Sequence, residues 1–273
     1  MITDRREFLT LLSALVASLT SPVLGKSLRS FGLQLYTVRD LLTSDFEGTL
    51  AEVARIGYRQ VEFAGISGPS PEQTLNLLKR YGLIAPAAHV SYQQLEHELS
   101  KHLQMARTMG QQFIVCPSVD ASRLQTIDDW KRVCQRFNAI GAQAKEAGLS
   151  FAYHNHDFEF VPIDRQIPYD VILAETDPDL VKMEADLYWM TRAGRDPVTC
   201  FQRYPGRFPL LHLKDMTPDG AITEVGQGVV DFKRVLGHST LAGVAYCFVE
   251  HDHPAHPLQS IEASLRYLQQ LGF

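Results

Sequence analysis

The sequence predicts an α/β fold, a single domain closed as a (β/α)8 barrel. Three observations carry this. The chain has 273 residues, and a barrel of this kind typically takes about 250. Eight short apolar runs alternate with amphipathic stretches, the pattern of parallel strands joined by crossover helices. Glycines close several of those stretches just before the next run, as at Gly57, Gly82, Gly110 and Gly148. That is how a helix stops before a following strand.

The expected strands are Phe31–Tyr36, Gln60–Ala64, Ile84–Val90, Phe113–Cys116, Ser150–His154, Val181–Asp186, Phe208–Leu213 and Val244–Glu250. Between them lie the helical patterns Leu50–Ile56, Pro71–Tyr81, Leu95–Met109, Asp128–Ala147, Tyr169–Leu173, Pro197–Tyr204, Asp231–Leu236 and Leu258–Leu271. Eight strand–helix units favour closure over an open sheet. An open doubly wound sheet is further disfavoured because no glycine-rich phosphate fingerprint follows the first strand. No linker-like or low-complexity tract interrupts residues 26–273, so they read as one domain.

Residues 1–25 stand apart. Arg5 and Arg6 precede the apolar run Leu9–Leu19, and Val23 and Gly25 offer small residues for cleavage. Paired arginines before a short apolar segment predict a twin-arginine export signal and a periplasmic destination. The run is shorter than the roughly 20 apolar residues a bilayer span needs. Membrane contact is therefore expected only through this signal. An ordinary amphipathic helix is the competing reading. A net charge of −5 and a pI near 6.1 argue against a nucleic-acid partner, since phosphate neutralisation needs concentrated Lys and Arg. Cys116, Cys134, Cys200 and Cys247 form no close pair. Buried free thiols are expected, with a disulfide as the alternative in an oxidising compartment.

In such a barrel the active site lies at the C-terminal ends of the strands, so the informative residues are the polar ones that end apolar runs. The last four runs end in His154-Asn-His156, Glu184-Ala-Asp186, His212-Leu-Lys214 and Glu250-His-Asp252, and earlier runs carry Gln34, Glu62 and His89. Any one such residue is commonly a helix cap or a satisfied structural group. Four in succession would converge on one rim, and a mixed imidazole–carboxylate set suits Mn²⁺, Co²⁺, Zn²⁺ or Mg²⁺. Without a cation the carboxylates would repel one another. Trp189 and Tyr188 would either stack on a sugar face or pack beneath a loop. Gly226-Gln-Gly228 reads as a loop with positive φ, closing over substrate or forming a plain turn. His251, His253 and His256 form a His-rich tract that reads as a solvated loop, with adventitious metal binding as the alternative.

These stretches, with Gly32–Arg39, Tyr153–Phe160, Gly226–Phe232 and Val249–Asp252, resemble the xylose isomerase-like TIM-barrel family of sugar phosphate isomerases/epimerases. The resemblance covers nearly the whole chain after the signal. It implies one divalent metal ion held at the ends of strands five to eight. Asp186, His212 and Glu250 take three of those places by resemblance. At the first, where many relatives have Glu-Asn-His, this chain has His154-Asn155-His156, which resembles the inosose dehydratase-like branch. Either His154 or Glu159 then completes the set.

The expected chemistry is isomerisation, epimerisation or elimination through a metal-stabilised enediolate. Glu159, His156 and Glu250 are candidate proton carriers, and Lys214 either stabilises the oxyanion or orients substrate, or forms a salt bridge with a neighbouring carboxylate. Gln34, Glu62, His89 and Trp189 are expected to bind substrate. The substrate is expected to be an unphosphorylated keto-sugar, keto-glycoside or inosose, since phosphorylated sugars are scarce outside the cytoplasm. A non-catalytic sugar-binding barrel and a multi-metal endonuclease-like hydrolase are the alternatives, separable by counting metal ions per chain. Assembly into a homo-oligomer is left open.

Overall fold

The structure, a computed structural model, describes residues 30–65 and 68–272; the expected export signal lies outside them. The strands are β1 (Gly32–Gln34), β2 (Gln60–Phe63), β3 (Ile84–His89), β4 (Phe113–Cys116), β5 (Ser150–His154), β6 (Val181–Asp186) and β7 (Leu210–Leu213), then β8 (Asp215–Met216), β9 (Ile222–Thr223) and β10 (Tyr246–Val249). Eight of them form a closed parallel barrel in the order β1-β10-β7-β6-β5-β4-β3-β2, with β8 and β9 a separate two-stranded piece. Every expected strand is present.

Alternation along each strand sorts side chains between lumen and outer wall. Ala87, Phe113, Val115, Ala152, Leu210 and Phe248 cluster in the lumen. The barrel is therefore a packed core rather than a channel. Outward-facing residues such as Leu33, Val61, Phe151, Leu211 and Cys247 join the larger core against the helices. Each such buried aliphatic or aromatic side chain contributes about 1.5–3 kcal/mol. Continuing the lumen alternation upward places Glu184 and Asp186, His212 and Lys214, and Glu250 above Phe248 on the inner face. The register fixes their heights, pairing His154 with Glu184 and Asp186 with His212.

The expected helix stops hold: Gly57, Gly82, Gly110 and Gly148 all have positive φ. Other elements differ from expectation. The pattern 95–109 is two helices, Tyr92–His97 and Leu99–Met109, broken at Glu98. A helix at Leu187–Arg192 follows β6 directly, capped by the Asp186 side chain. The Gly226–Gly228 segment is a held turn. Asp215 Oδ2 accepts hydrogen bonds from Gly226 N and Gly228 N, both at 2.9 Å, and Oδ1 accepts from Val230 N at 3.1 Å. All four cysteines are free and buried.

Candidate metal centre

Four side chains from four neighbouring strands converge at the C-terminal rim. Ligand atoms of His154, Asp186, His212 and Glu250 all lie within 4.8 Å of one another, and all four residues are buried. His154 Nε2 is 3.4 Å from Asp186 Oδ2, and His212 Nδ1 is 2.9 Å from Glu250 Oε2. His212 Nδ1 is 3.9 Å from Asp186 Oδ2.

Local structure aims each group. Asp186 uses Oδ1 to cap the helix behind it, accepting from Trp189 N at 3.0 Å, which leaves Oδ2 for the cluster. Its own N–H donates to Asn155 Oδ1 at 3.1 Å, so Asn155 ties the end of β5 to the end of β6. His154 turns one ring nitrogen toward the Pro117 carbonyl, 3.0 Å away, and the other toward Asp186.

Lys214 stands beside the cluster, only 2% exposed, with Nζ 3.1 Å from Asp186, 2.8 Å from Glu250 and 2.8 Å from Asp252. Burial disfavours its charge, but the three carboxylates outweigh burial and raise its pKa. Burial would likewise raise Asp186 and Glu250, yet the Lys214 ammonium chiefly holds both below the ordinary carboxylate range. Asp186, Glu250 and Asp252 outnumber the one ammonium, and against burial Glu184 and Glu250 raise the His212 pKa well above its ordinary value. The cluster thus carries an excess of carboxylates that a divalent cation would offset. Two nitrogens and two carboxylates form a donor set typical of Zn²⁺, Mn²⁺ or Co²⁺. The residues fit a cation.

A cavity of about 280 Å³ opens on this cluster, lined in part by His89, His154, His156, Lys214, Glu250 and Asp252. It sits near the lower end, roughly 300 Å³, of small-molecule sites. His156 Nδ1 and Trp189 Nε1 are buried without hydrogen-bond partners, and their rings lie 5.4 Å apart. Burial, helped by the His154 ring, lowers the His156 pKa to about 3, so its imidazole is neutral.

Glu159 belongs to neither ligand group among the described residues. Its Oε1 accepts from the Tyr153 hydroxyl at 2.5 Å and its Oε2 from His156 N at 2.9 Å. Of the two strand-five alternatives, the geometry therefore gathers His154 into the cluster and leaves Glu159 pinning the turn beneath His156.

Gln34 and Glu62 are fully buried below the cluster and contact His212 or each other. His89 reaches both levels, lining the cavity and touching Glu184. Sequence reasoning assigned no role to Glu184, Asn155 or Asp252. The available signal for Glu184 was period two: a carboxylate inside an apolar strand, two residues before Asp186, shares its inner face. Among the described residues, none of His251, His253 and His256 joins a ligand group. His253 instead meets Arg39 at 3.1 Å.

Fold and site together define a parallel (β/α)8 barrel whose rim gathers a buried imidazole–carboxylate cluster suited to a divalent cation. The chain belongs to the xylose isomerase-like TIM barrel family, whose sequence profile matches residues 50–271. It is similar to inosose dehydratases from Lacticaseibacillus casei (26% identity over 228 residues, 70% of this chain and 76% of that one) and Clostridium tetani (25% over 270 residues, 82% and 89%). A sugar phosphate isomerase/epimerase structure from Parabacteroides distasonis superposes with a TM-score of 0.79 at 26% identity, covering 93% of this chain and 96% of that one.

Proposed function

We propose that this chain is a divalent-metal-dependent isomerase, epimerase or lyase acting on an unphosphorylated keto-sugar, keto-glycoside or inosose. The convergence of His154, Asp186, His212 and Glu250 beside a cavity that also holds Lys214 carries the reading. Similarity to inosose dehydratases and to a sugar phosphate isomerase/epimerase supports a carbohydrate substrate. The absence of a phosphate on the substrate rests on the export signal read at residues 1–25 and the periplasmic location it implies.

His154, Asp186, His212 and Glu250 would hold a divalent ion, which would supply Lewis acidity to a substrate carbonyl. The chain's own residues do the rest. Lys214, anchored by Asp186, Glu250 and Asp252, has each of its three N–H bonds matched by a carboxylate, so its role is to keep Asp186 and Glu250 ionised rather than to meet substrate oxygen. His156 lines the cavity as one candidate proton carrier, but a pKa lowered to about 3 makes its imidazole a weak base toward a carbon acid. Glu250 reaches the same cavity and is the second candidate carrier. Glu159, engaged by Tyr153 and the His156 amide, is better suited to hold the His156 turn than to touch substrate. Trp189 packs against the His156 ring and supports that wall of the cavity.

The test uses metal-stripped protein, Mn²⁺ or Co²⁺ and a 3-keto-glycoside in deuterated water. Metal-dependent turnover, or deuterium uptake at the carbon alpha to the ketone, is expected. Loss of both, in protein that binds the metal, would turn the reading toward a sugar-binding barrel. Fractionation checks the location, where a full-length cytosolic product removes the periplasmic assignment.

A further inference from the structure

Below the four candidate ligands the lumen holds a second polar layer that the proposed chemistry does not use. Gln34, Glu62 and Glu184 are fully buried, and the His89 side chain is 10% exposed. Ionisable groups buried this deeply cost several kcal/mol each unless specifically paired. The pairing has a focus. Glu62 Oε2 is 2.7 Å and Glu184 Oε2 3.2 Å from Nε2 of His212, the nitrogen that faces away from the candidate cation site. Behind them, Gln34 donates its amide to Glu62 Oε2 at 2.9 Å, and His89 Nε2 lies 2.8 Å from Glu184 Oε2.

The other oxygen of each carboxylate, Glu62 Oε1 and Glu184 Oε1, has no hydrogen-bond partner. An unpaired buried polar atom costs about 1–3 kcal/mol. Both carboxylates thus leave one oxygen unsatisfied while directing the other at His212. A polar layer serving only to fill space would distribute its contacts more evenly.

We propose that Glu62, held by Gln34 and backed by Glu184 and His89, is the positioning residue of the metal centre. It keeps the His212 proton on Nε2, and Nδ1 is thereby the nitrogen offered to a divalent cation among His154, Asp186 and Glu250. A neutral imidazole carries one proton, and the hydrogen bond at one nitrogen decides which remains free to ligate. A carboxylate in that position also fixes the ring plane and raises ligand basicity. Glu62, His89, Glu184 and His212 lie as close together as the upper set. A second cation there would compete for Nε2, though, and His212 serves two cations only by losing both ring protons. The upper set alone gathers four donors at the open cavity without that loss.

This inference rests on the metal-centre reading, and the experiment separates the two. Co²⁺ is titrated into chelator-stripped full-length protein, following its visible absorption and its dissociation constant by chelator competition. E62Q keeps shape and a hydrogen-bonding oxygen but replaces the carboxyl, whose pKa burial and Glu184 raise to about 8 against the His212 contact, with an amide that cannot ionise when a cation binds. Its Co²⁺ affinity is expected to fall by roughly ten- to a hundred-fold, with an altered absorption band and an unchanged melting temperature for the metal-free protein. Wild-type affinity and spectrum in folded E62Q overturn the proposal while leaving the metal centre intact. Two Co²⁺ per wild-type chain, one of them lost in E62Q, overturn it in favour of a second cation site. A wild-type chain that binds no Co²⁺ overturns both readings. Should E62Q fail to fold, Gln34→Leu frees Glu62 without removing it. A several-fold weaker affinity is then expected, and an unchanged one overturns the proposal.

Discussion

Lys214 shows how much of the site's energetics rests on one side chain. It is the cation that buried Asp186 and Glu250 and the half-buried Asp252 share in the metal-free protein. Removing one partner of a buried ion pair costs about 3–5 kcal/mol, because the remaining charges are stranded. Lys214→Met should therefore destabilise the chelated protein by about that much. Saturating Mn²⁺ should restore part of the loss by replacing positive charge at Asp186 and Glu250. Urea denaturation with and without Mn²⁺ measures both, and an equal loss in the two conditions would contradict the shared-charge account.

Glu159 gives a second prediction at this scale. Burial raises its pKa from the ordinary 4.5 to about 7, against the Tyr153 hydrogen bond. The folded state then holds this proton more tightly than the unfolded chain. Its contribution is fully present below about pH 4.5 and is lost as pH rises through about 7. The loss is on the order of 3 kcal/mol. In E159Q, whose amide cannot ionise, that part of the pH dependence should vanish. Denaturation of chelated protein across this window checks it, and equal slopes in the two proteins count against the assignment. Residue types at the rim were legible because each strand ends where its apolar run ends. The choice between His154 and Glu159 was not. It depends on Tyr153 and the His156 amide capturing the Glu159 carboxylate, a contact that spacing alone does not encode.

At the scale of elements, strands were read more securely than helices. A strand buried on both faces is a plain apolar run, whereas helix limits depend on caps and breaks. The interruption at Glu98 lies within a continuous amphipathic pattern. The helix after β6 exists because Asp186 caps it, so a residue read as a ligand also starts an element. The β8–β9 hairpin and the 226–230 turn are organised by Asp215, whose buried carboxylate gathers backbone amides from residues distant in sequence. Helix Ile127–Glu146 carries a prediction of its own. Propensity says that Gly141→Ala should stabilise it by roughly 0.5–1 kcal/mol. A Cβ at Gly141, however, would stand 2.3 Å from the backbone oxygen of Leu180, just before β6. Backbone there cannot step aside without moving a barrel strand, and overpacking typically costs about 1–3 kcal/mol. The steric effect wins, so G141A should lower the melting temperature. A rise would show that helix and strand separate easily.

Across the whole molecule, the site joins the two halves of the barrel wall. β5, β6, β7 and β10 are contiguous in the closed sheet and carry His154, Asp186, His212 and the chain leading to Glu250. β1, β2 and β3 carry Gln34, Glu62 and His89, and the 2.7 Å contact from Glu62 to His212 crosses the lumen between the halves. A cation bound to the upper set would therefore link four strands that touch it only in the folded state. Ligand that binds only the native form stabilises by about 4 kcal/mol at a thousand times its dissociation constant. For a chain of this size each kcal/mol is worth about 2–4 °C. Saturating Mn²⁺ or Co²⁺ should thus raise the melting temperature by roughly 8–16 °C over chelated protein. Asp186→Asn and His212→Ala should abolish that rise, while far-ultraviolet circular dichroism still reports an intact barrel. Each removes a donor, but neither removes a strand contact, because the ladders pair through backbone. A full metal-induced rise in both variants would mean that the cation binds elsewhere, and the rim cluster would then be a self-neutralised polar core.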